Sequence, residues 1–238
     1  MTKRVYDIMI VGAGVTGCEA ALGCAEAGLD TLLITTSLDT VYNLAAEQVA
    51  LEPPPKTLLT EIFRAKAENG FLKSWDLHSA AKQRIEAAPD IHFLQSSVSA
   101  LRLEGDGVLG VDTWEGVPRF ARRTALCVGS FLQARLTIGT LTERAGRLSE
   151  MAYDDLYLNL TDLGFAFMDL RLEAAGVDGA LPYHIDCRMF AGTEKDGFCL
   201  KRFQNLYAAG ICASGYLSYE AAAAAGRKLA EALATEMG

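Results

Sequence analysis

One short segment limits this chain more than any other: Gly12-Ala13-Gly14-Val15-Thr16-Gly17, set between the apolar run Val5–Val11 and a stretch, residues 17–27, whose small and apolar positions Cys18, Ala21, Leu22 and Ala25 recur at helical spacing. The first glycine permits a sharp turn, the second lets backbone approach a pyrophosphate, and the third lets helix and strand pack closely. The helix N-terminus then faces negative charge. The spacing alone also fits an incidental glycine-rich turn. Here a strand precedes it, a helix follows, Gly28 stops the helix and Thr31–Thr35 supplies a second buried strand. That order makes a βαβ unit of about 30 residues, the context in which the motif holds a dinucleotide. The acidic residue that would grip the ribose of NAD at the end of the second strand is replaced by Thr35-Thr36-Ser37, with Asp39 further on. Thr36 and Ser37 are therefore assigned to the ribose.

The rest of the chain reads as one domain, residues 1–238, since 238 residues with 50% hydrophobic content suffice for one large core. Residues 43–57, containing Pro53-Pro54-Pro55, read as a loop. Helices are expected over 58–69 and 75–88, with a strand at Ile91–Gln95. Short strands at Val98–Glu104, 108–114 and 117–122, joined by glycine turns, form an antiparallel β-meander. An apolar strand, 124–128, follows and ends at Gly129-Ser130. The fold class is α/β, a doubly wound parallel sheet with a meander. By fold-level analogy it is a Rossmann-like FAD-binding domain of the glutathione-reductase type. Residues 136–200 form a less legible insertion, with a helix near 154–163 and strands near 165–172 and 183–189. The pattern sharpens again at a buried strand, 206–209, and an alanine-rich helix, Tyr219–Met237.

The six cysteines, Cys18, Cys24, Cys127, Cys187, Cys199 and Cys212, include no C-x-x-C pair, which fits neither a zinc site nor a disulfide framework and implies a reducing cytoplasm. No signal peptide and no membrane span are expected. The formal charge of -8 disfavours a whole-surface attraction to nucleic acid. His78, His92 and His184 lie in separate segments without ligand spacing, so no metal is expected. Arg119, Arg122 and Arg123, like Lys201 and Arg202, read as solvated faces. Of the thiols, Cys212 is the weak catalytic candidate, because it follows Gly210 closely; Cys18, Cys24 and Cys127 read as buried and inert. Tyr216 and Tyr219 are candidates to cover a ring.

Residues 6–17, Gly17-Cys18-Glu19-Ala20-Ala21, Thr31-Leu32-Leu33-Ile34-Thr35 and Leu38-Asp39-Thr40 resemble the glucose-inhibited division protein A family, as do 125–132, Ile138-Gly139, Gly146-Arg147 and 206–226. Its members are FAD-dependent enzymes that modify the wobble uridine of certain tRNAs. The resemblance implies FAD as cofactor. Gly12, Ala13, Gly14, Val15, Thr16 and Gly17 would hold its pyrophosphate, Val98 would supply backbone near the adenine, and Gly129, Ser130 and Phe131 would border the cofactor. Gly210 and Ile211 would lie beside the ribityl chain, and Ser218, Tyr219 and Glu220 would begin a helix facing the flavin's pyrimidine edge. Family members are longer, with a substrate insertion and a helical tRNA domain. Where the family has a reactive cysteine, this chain aligns Ala46. The expectation is a flavin-dependent oxidoreductase using NADH or NADPH, with tRNA binding not expected of this chain alone. The alternative is a non-catalytic flavin-holding subunit acting with a partner protein. An NAD-dependent dehydrogenase ranks third, for want of the acidic residue.

Overall fold

The computed structural model describes residues 4–44, 48–148, 150–175 and 181–237. The N-terminal unit forms as its pattern requires. Strand β1 (Val5–Val11) runs into helix α1 (Val15–Glu26), and β2 (Thr31–Thr35) returns parallel to β1. Ile8, Met9, Ile10 and Val11 are all fully buried, as expected of a strand covered on both faces.

The stretch expected as a loop holds a strand, β3 (Gln48–Ala50). Helix α2 (Leu58–Lys66) ends before the expected residue 69, and β4 (Phe71–Lys73) pairs back onto β3. The reason is Asn69-Gly70, where both residues take positive φ (51° and 82°), the signature of a tight hairpin turn that a helix cannot pass through. Helix α3 (Ser74–Glu86) then leads to β5 (Ile91–Gln95), parallel to β2.

The meander is β6 (Val98–Glu104), β7 (Gly107–Thr113) and the first part of β8 (Pro118–Leu126). The last strand does double duty. Its early residues pair antiparallel with β7, and from Phe120 onward it runs parallel to β1, so the expected strands 117–122 and 124–128 are one element.

The illegible region becomes β9 (Arg135–Ile138), β10 (Leu141–Glu143), β11 (Ala145–Arg147), β12 (Glu150–Met151), α4 (Asp154–Asp162), β13 (Phe167–Ala174) and β14 (Tyr183–Phe190). Four of these form a separate antiparallel sheet in the order β10-β9-β14-β13. Two short strands, β15 (Lys195–Asp196) and β16 (Cys199–Leu200), then lead into β17 (Leu206–Ala208). The chain returns through β17 to the main sheet beside β8, and α5 (Ile211–Ser214) and α6 (Tyr219–Met237) follow.

The main sheet thus reads β15-β16-β17-β8-β1-β2-β5, with β7 and β6 attached through β8. One face carries α1, α2, α3 and α6 over Ile8 and Ile10. The other carries the meander and α4 over Met9 and Val11. Three layers therefore enclose a parallel sheet whose carboxyl ends open on one edge. No helix among the described residues is long and apolar enough to cross a membrane.

Candidate functional site

The three glycines of the N-terminal turn meet different surroundings. Gly12 sits at φ +106°, and a Cβ there would lie 2.3 Å from the Cys127 carbonyl oxygen. A Cβ on Gly17 would lie 1.8 Å from the Gly12 carbonyl oxygen. Both positions are closed to any side chain by the protein itself. Gly14, the N-cap of α1, has an ordinary extended backbone (φ -72°, ψ -175°), and a Cβ there would meet nothing within 4 Å. Its exposed backbone stands at the end of α1, where the first amides lack intrahelical partners.

Around this turn the topology gathers the other candidate residues, all at the carboxyl edge of the sheet. Gly12 N donates to Ile34 O of β2 (2.7 Å), and Cys127 N donates to Val11 O (2.8 Å). Gly129, at φ +57°, turns the chain after β8. Buried Ser130 donates its hydroxyl to Gly146 O (2.6 Å), while Phe131 packs against Gly146 and edge-on to Tyr153. Ser37 accepts from Asp39 N through its hydroxyl (3.2 Å), and Thr36 O accepts from Gln95 (3.4 Å). Thr36 also hydrogen-bonds the buried Tyr153 hydroxyl, which burial pushes up to about 12. Val98 is buried at the start of β6, two residues after Ser96, whose N–H donates to Thr35 O (2.8 Å).

The C-terminal elements close the ring. Gly210 takes φ +80°, and a Cβ there would press on Thr16 Oγ1 at 3.0 Å, so the turn into α5 at Ile211 fits against the glycine loop. Thr16 in turn donates to Ala222 O of α6 (3.0 Å). The small residues Gly226 and Ala230 of α6 have their reason here: a Cβ on Gly226 would lie 2.3 Å from Thr16 O, and one on Gly23 would lie 2.6 Å from Ala230 Cβ. Only small residues let α1 and α6 approach so closely. Ser218 caps α6 by accepting from Ala221 N (3.2 Å), and the Glu220 carboxylate accepts from Glu52 N (3.3 Å). Tyr219 begins α6 half-buried, and Tyr216 is largely exposed beside it.

Several residues that sequence reasoning does not single out help to build this edge. Glu19 of α1 is fully buried, and its carboxylate accepts from Tyr42 Oη (2.6 Å), Leu58 N (3.0 Å), Leu59 N (3.0 Å) and Arg227 Nε (2.9 Å). It joins α1, the segment after β2, the start of α2 and α6 at one point. Burial, and after it the Glu19 charge, pushes the Tyr42 hydroxyl well above its ordinary range, which keeps it a donor. The backbone of Tyr42 donates to Ala13 O (2.9 Å), so the same residue fastens this segment to the glycine turn. A carboxylate inside an otherwise apolar helix and an arginine inside an alanine-rich one were the available signals. Thr40, Arg147 and Glu150 form a second link: Thr40 donates to Glu150 (3.0 Å), Arg147 pairs with Glu150 (3.5 Å) and donates to Leu44 O (3.1 Å).

Cys212 is fully buried, and burial pushes its thiol up to about 11, so it stays protonated at neutral pH. Cys18, Cys24, Cys127 and Cys187 are also buried, and burial raises each thiol. His78 binds Val41 O through Nδ1 (2.6 Å), His92 lies against Arg4 (2.7 Å) and His184 beside Asp186 (3.5 Å). They occupy three different places. Arg123 is held by Glu236 (3.2 Å) and Arg202 by Glu194 (2.8 Å). Ala46 lies outside the described residues. Two open grooves lie outside the glycine turn. One, of about 440 Å³, runs along α3 past Trp75 and Lys82 to Asp39. The other, of about 360 Å³, lies along β8 between Phe120 and Asn205. Neither includes the glycine turn, which Ile34 O meets at Gly12 N, Tyr42 N at Ala13 O and Gly210 at Thr16.

The model of the family described as glucose inhibited division protein A matches residues 7–66 and 72–176. The tRNA uridine 5-carboxymethylaminomethyl modification enzyme MnmG of Chlamydia muridarum is 30% identical over 192 residues, which span 70% of this chain and 32% of that protein. The chain thus spans about a third of the length of the curated relatives it matches. The GidA-related protein from Thermus thermophilus superposes with a TM-score of 0.89 at 37% identity, covering 98% of this chain and 100% of that one. Aquifex aeolicus GidA superposes with a TM-score of 0.81 at 14% identity, covering 97% and 66%. A thioredoxin reductase from Gloeobacter violaceus shares the fold, with a TM-score of 0.58 at 12% identity and coverage of 99% and 96%. By sequence and by fold, this chain belongs to the glucose-inhibited division protein A family.

Proposed function

We propose that this protein binds FAD along the carboxyl edge of its main sheet and acts as a flavin-dependent oxidoreductase. The observation that carries the reading is Gly14: its backbone is ordinary and a Cβ there would meet nothing within 4 Å, so no neighbour among the described residues accounts for glycine. Close approach of a ligand's pyrophosphate to the backbone does account for it. The loop from Gly12 through Ala13, Val15 and Thr16 to Gly17 would hold that pyrophosphate. Thr36, Ser37 and Val98 would hold the adenosine end, Gly129, Ser130 and Phe131 the flank, and Gly210 and Ile211 the ribityl chain. Ser218, Tyr219 and Glu220 would present the positive end of α6 to the pyrimidine edge, where negative charge gathers on reduction. Bound flavin supplies two-electron redox chemistry, and the protein's part is to orient it and tune its electronics.

NADH or NADPH is the proposed electron donor. The reading does not rest on Cys212, whose protonated, buried thiol serves packing. The tRNA modification named for the MnmG relatives is not proposed for this chain alone, given the third of their length that it spans. The test is to release and identify the cofactor of the purified protein. Yellow protein yielding FAD is expected, and colourless protein that takes up no added FAD would sink the proposal. Anaerobic mixing with NADH or NADPH then reads the reaction: bleaching at a catalytic rate supports the oxidoreductase. Flavin that stays oxidised unless a partner protein is added would favour a flavin-holding subunit instead.

A further inference from the structure

The hairpin of β11 and β12 is fastened at its two ends to opposite faces of the main sheet. Its base rests on the face over Met9 and Val11. Tyr153, just after β12, is buried in that cluster with Leu132, and its N–H donates to Phe131 O (2.8 Å). Gly146 O accepts from the Ser130 hydroxyl (2.6 Å), and a Cβ on Gly146 would collide with the Phe131 ring. The tip reaches the other face. There Val41, Tyr42 and Leu44 are buried with Ile8 and Ile10. Thr40 donates to Glu150 (3.0 Å), and Arg147 donates to Leu44 O (3.1 Å).

A hairpin that starts on one face and ends on the other crosses an edge of the sheet, and its contacts say where. Ser130 and Phe131 follow β8, Thr40 and Leu44 follow β2, and the strand between β8 and β2 is β1. The carboxyl end of β1 is the glycine turn, and Tyr42, beside the contacts of the tip, donates to Ala13 O within it. The hairpin thus spans the glycine turn from flank to flank.

The two ends are fastened differently. The base has a backbone hydrogen bond and buried apolar packing. At the tip, among the described residues, every hydrogen bond to the segment after β2 uses a side chain of Arg147 or Glu150, and these two pair at 3.5 Å. Burial raises the Glu150 carboxyl above its ordinary range, against the pull of Arg147 and Thr40. Lost hydration therefore offsets much of what the pair gains. Such a fastening can part while the base stays docked.

We propose that this hairpin is a strap over the cofactor site, docked at Ser130, Phe131 and Tyr153 and clasped by Arg147, Glu150 and Thr40, and that the clasp parts each time the dinucleotide enters or leaves. The proposal rests on the FAD reading above. Arg147 and Glu150 are then positioning residues that set the rate of exchange more than the affinity, because the same clasp closes an empty and a filled site.

Stopped-flow fluorescence of the full chain with FAD reads both rates. Arg147→Ala, checked for folding by circular dichroism, frees the tip from Glu150 and from Leu44 O. It should raise association and dissociation together, each about tenfold, the scale of charged hydrogen bonds lost from partly buried groups, and leave Kd within about threefold. Glu150→Gln, which loses the ion pair and keeps an acceptor for Thr40, should move both rates the same way by less. Arg144→Ala, an exposed change just before β11, should move neither. A second readout needs no cofactor. In a Cys199→Ser background, spin labels on the exposed positions Leu148 at the tip and Leu158 on α4 should give one separation, and Arg147→Ala should add a longer one. With FAD bound, rates or separations indifferent to Arg147→Ala would overturn the strap alone. So would faster dissociation with unchanged association, which marks a lost contact and not an opened clasp. Protein that takes up no FAD overturns the cofactor reading, and the role of the strap falls with it.

Discussion

The two sheets of this molecule solve different packing problems. Around β1 the chain is closed from both faces, and its tolerances are set by backbone meeting backbone: Gly17 against the Gly12 carbonyl, Gly226 against the Thr16 carbonyl. In the smaller sheet the strands β13 and β14 pack one face on a modest apolar cluster and leave the other to charged rows. The contrast teaches where rigidity is placed. The ring of loops proposed to receive a ligand hangs on the region where nothing can shift, while the smaller sheet is free to vary its surface.

The most severe challenge to this contrast is Gly17→Val. Its Cβ has nowhere to go but into a backbone oxygen, so a loss of about 4 kcal/mol or more, seen in urea unfolding as loss of the native baseline, is expected. A stable Gly17→Val protein would mean that the turn is not the rigid point described. Next comes Glu19→Ala, which leaves Arg227 and two α2 amides without their shared acceptor. A cost of about 3–5 kcal/mol follows from removing one partner of a buried ion pair. Equal stability of variant and parent would show that water or another group replaces the carboxylate.

Gly14→Val probes the same contrast from the other side. No protein atom opposes its Cβ, so the loss of unfolding free energy should stay near that of a poorer N-cap residue, about 1 kcal/mol. FAD affinity, measured by fluorescence on titration, should fall by about tenfold or more, corresponding to about 1.4 kcal/mol. Unchanged affinity would remove the main support for the proposed nucleotide loop. The smallest effect concerns thiols. Cys199, on the two-residue strand β16 at the side of the main sheet, is the half-exposed one of the six, and the other five are buried. A native-state thiol titration at mildly alkaline pH should count about one reactive group, reaching six on denaturation. Rapid labelling of Cys127 or Cys212 without denaturant would reveal a core that opens.

Much of the main sheet was legible because each element there carries a local signal. Continuous apolar runs mark β1, β2 and β17, glycine turns mark the meander, and alanine spacing marks α6. The hairpin of β3 and β4 escaped because its strands have three residues each and their pairing joins positions as distant as Gln48 and Lys73. Asn69-Gly70 does signal a turn, but the helical pattern before it leads up to that pair without a break. The smaller sheet escaped for a related reason: β9 pairs with β14 across the whole of α4 and β13, and no local spacing encodes that partner. Within the candidate site, the glycines of the N-terminal turn announced themselves, whereas Tyr42 and Tyr153 did not, and Glu19 and Gly146 entered only within segments that carry the family resemblance. Their roles arise from contacts such as Tyr42 N with Ala13 O, which a linear pattern does not contain.

The order of residues was enough to specify the βαβ unit, its glycine turn and the three-layer class, because turn geometry, strand burial and helix packing are local demands that specific residues answer. It also marked the two ends of the chain as the expected nucleotide site. Only the folded arrangement separated the glycines that serve the protein from the one that stands open: Gly12, Gly14 and Gly17 look alike in the sequence, and the positions of Cys127, Gly12 O and empty space tell them apart. The same holds for the pairs of Arg171 with Asp186 and of Arg188 with Asp169, since they depend on the register in which β13 meets β14.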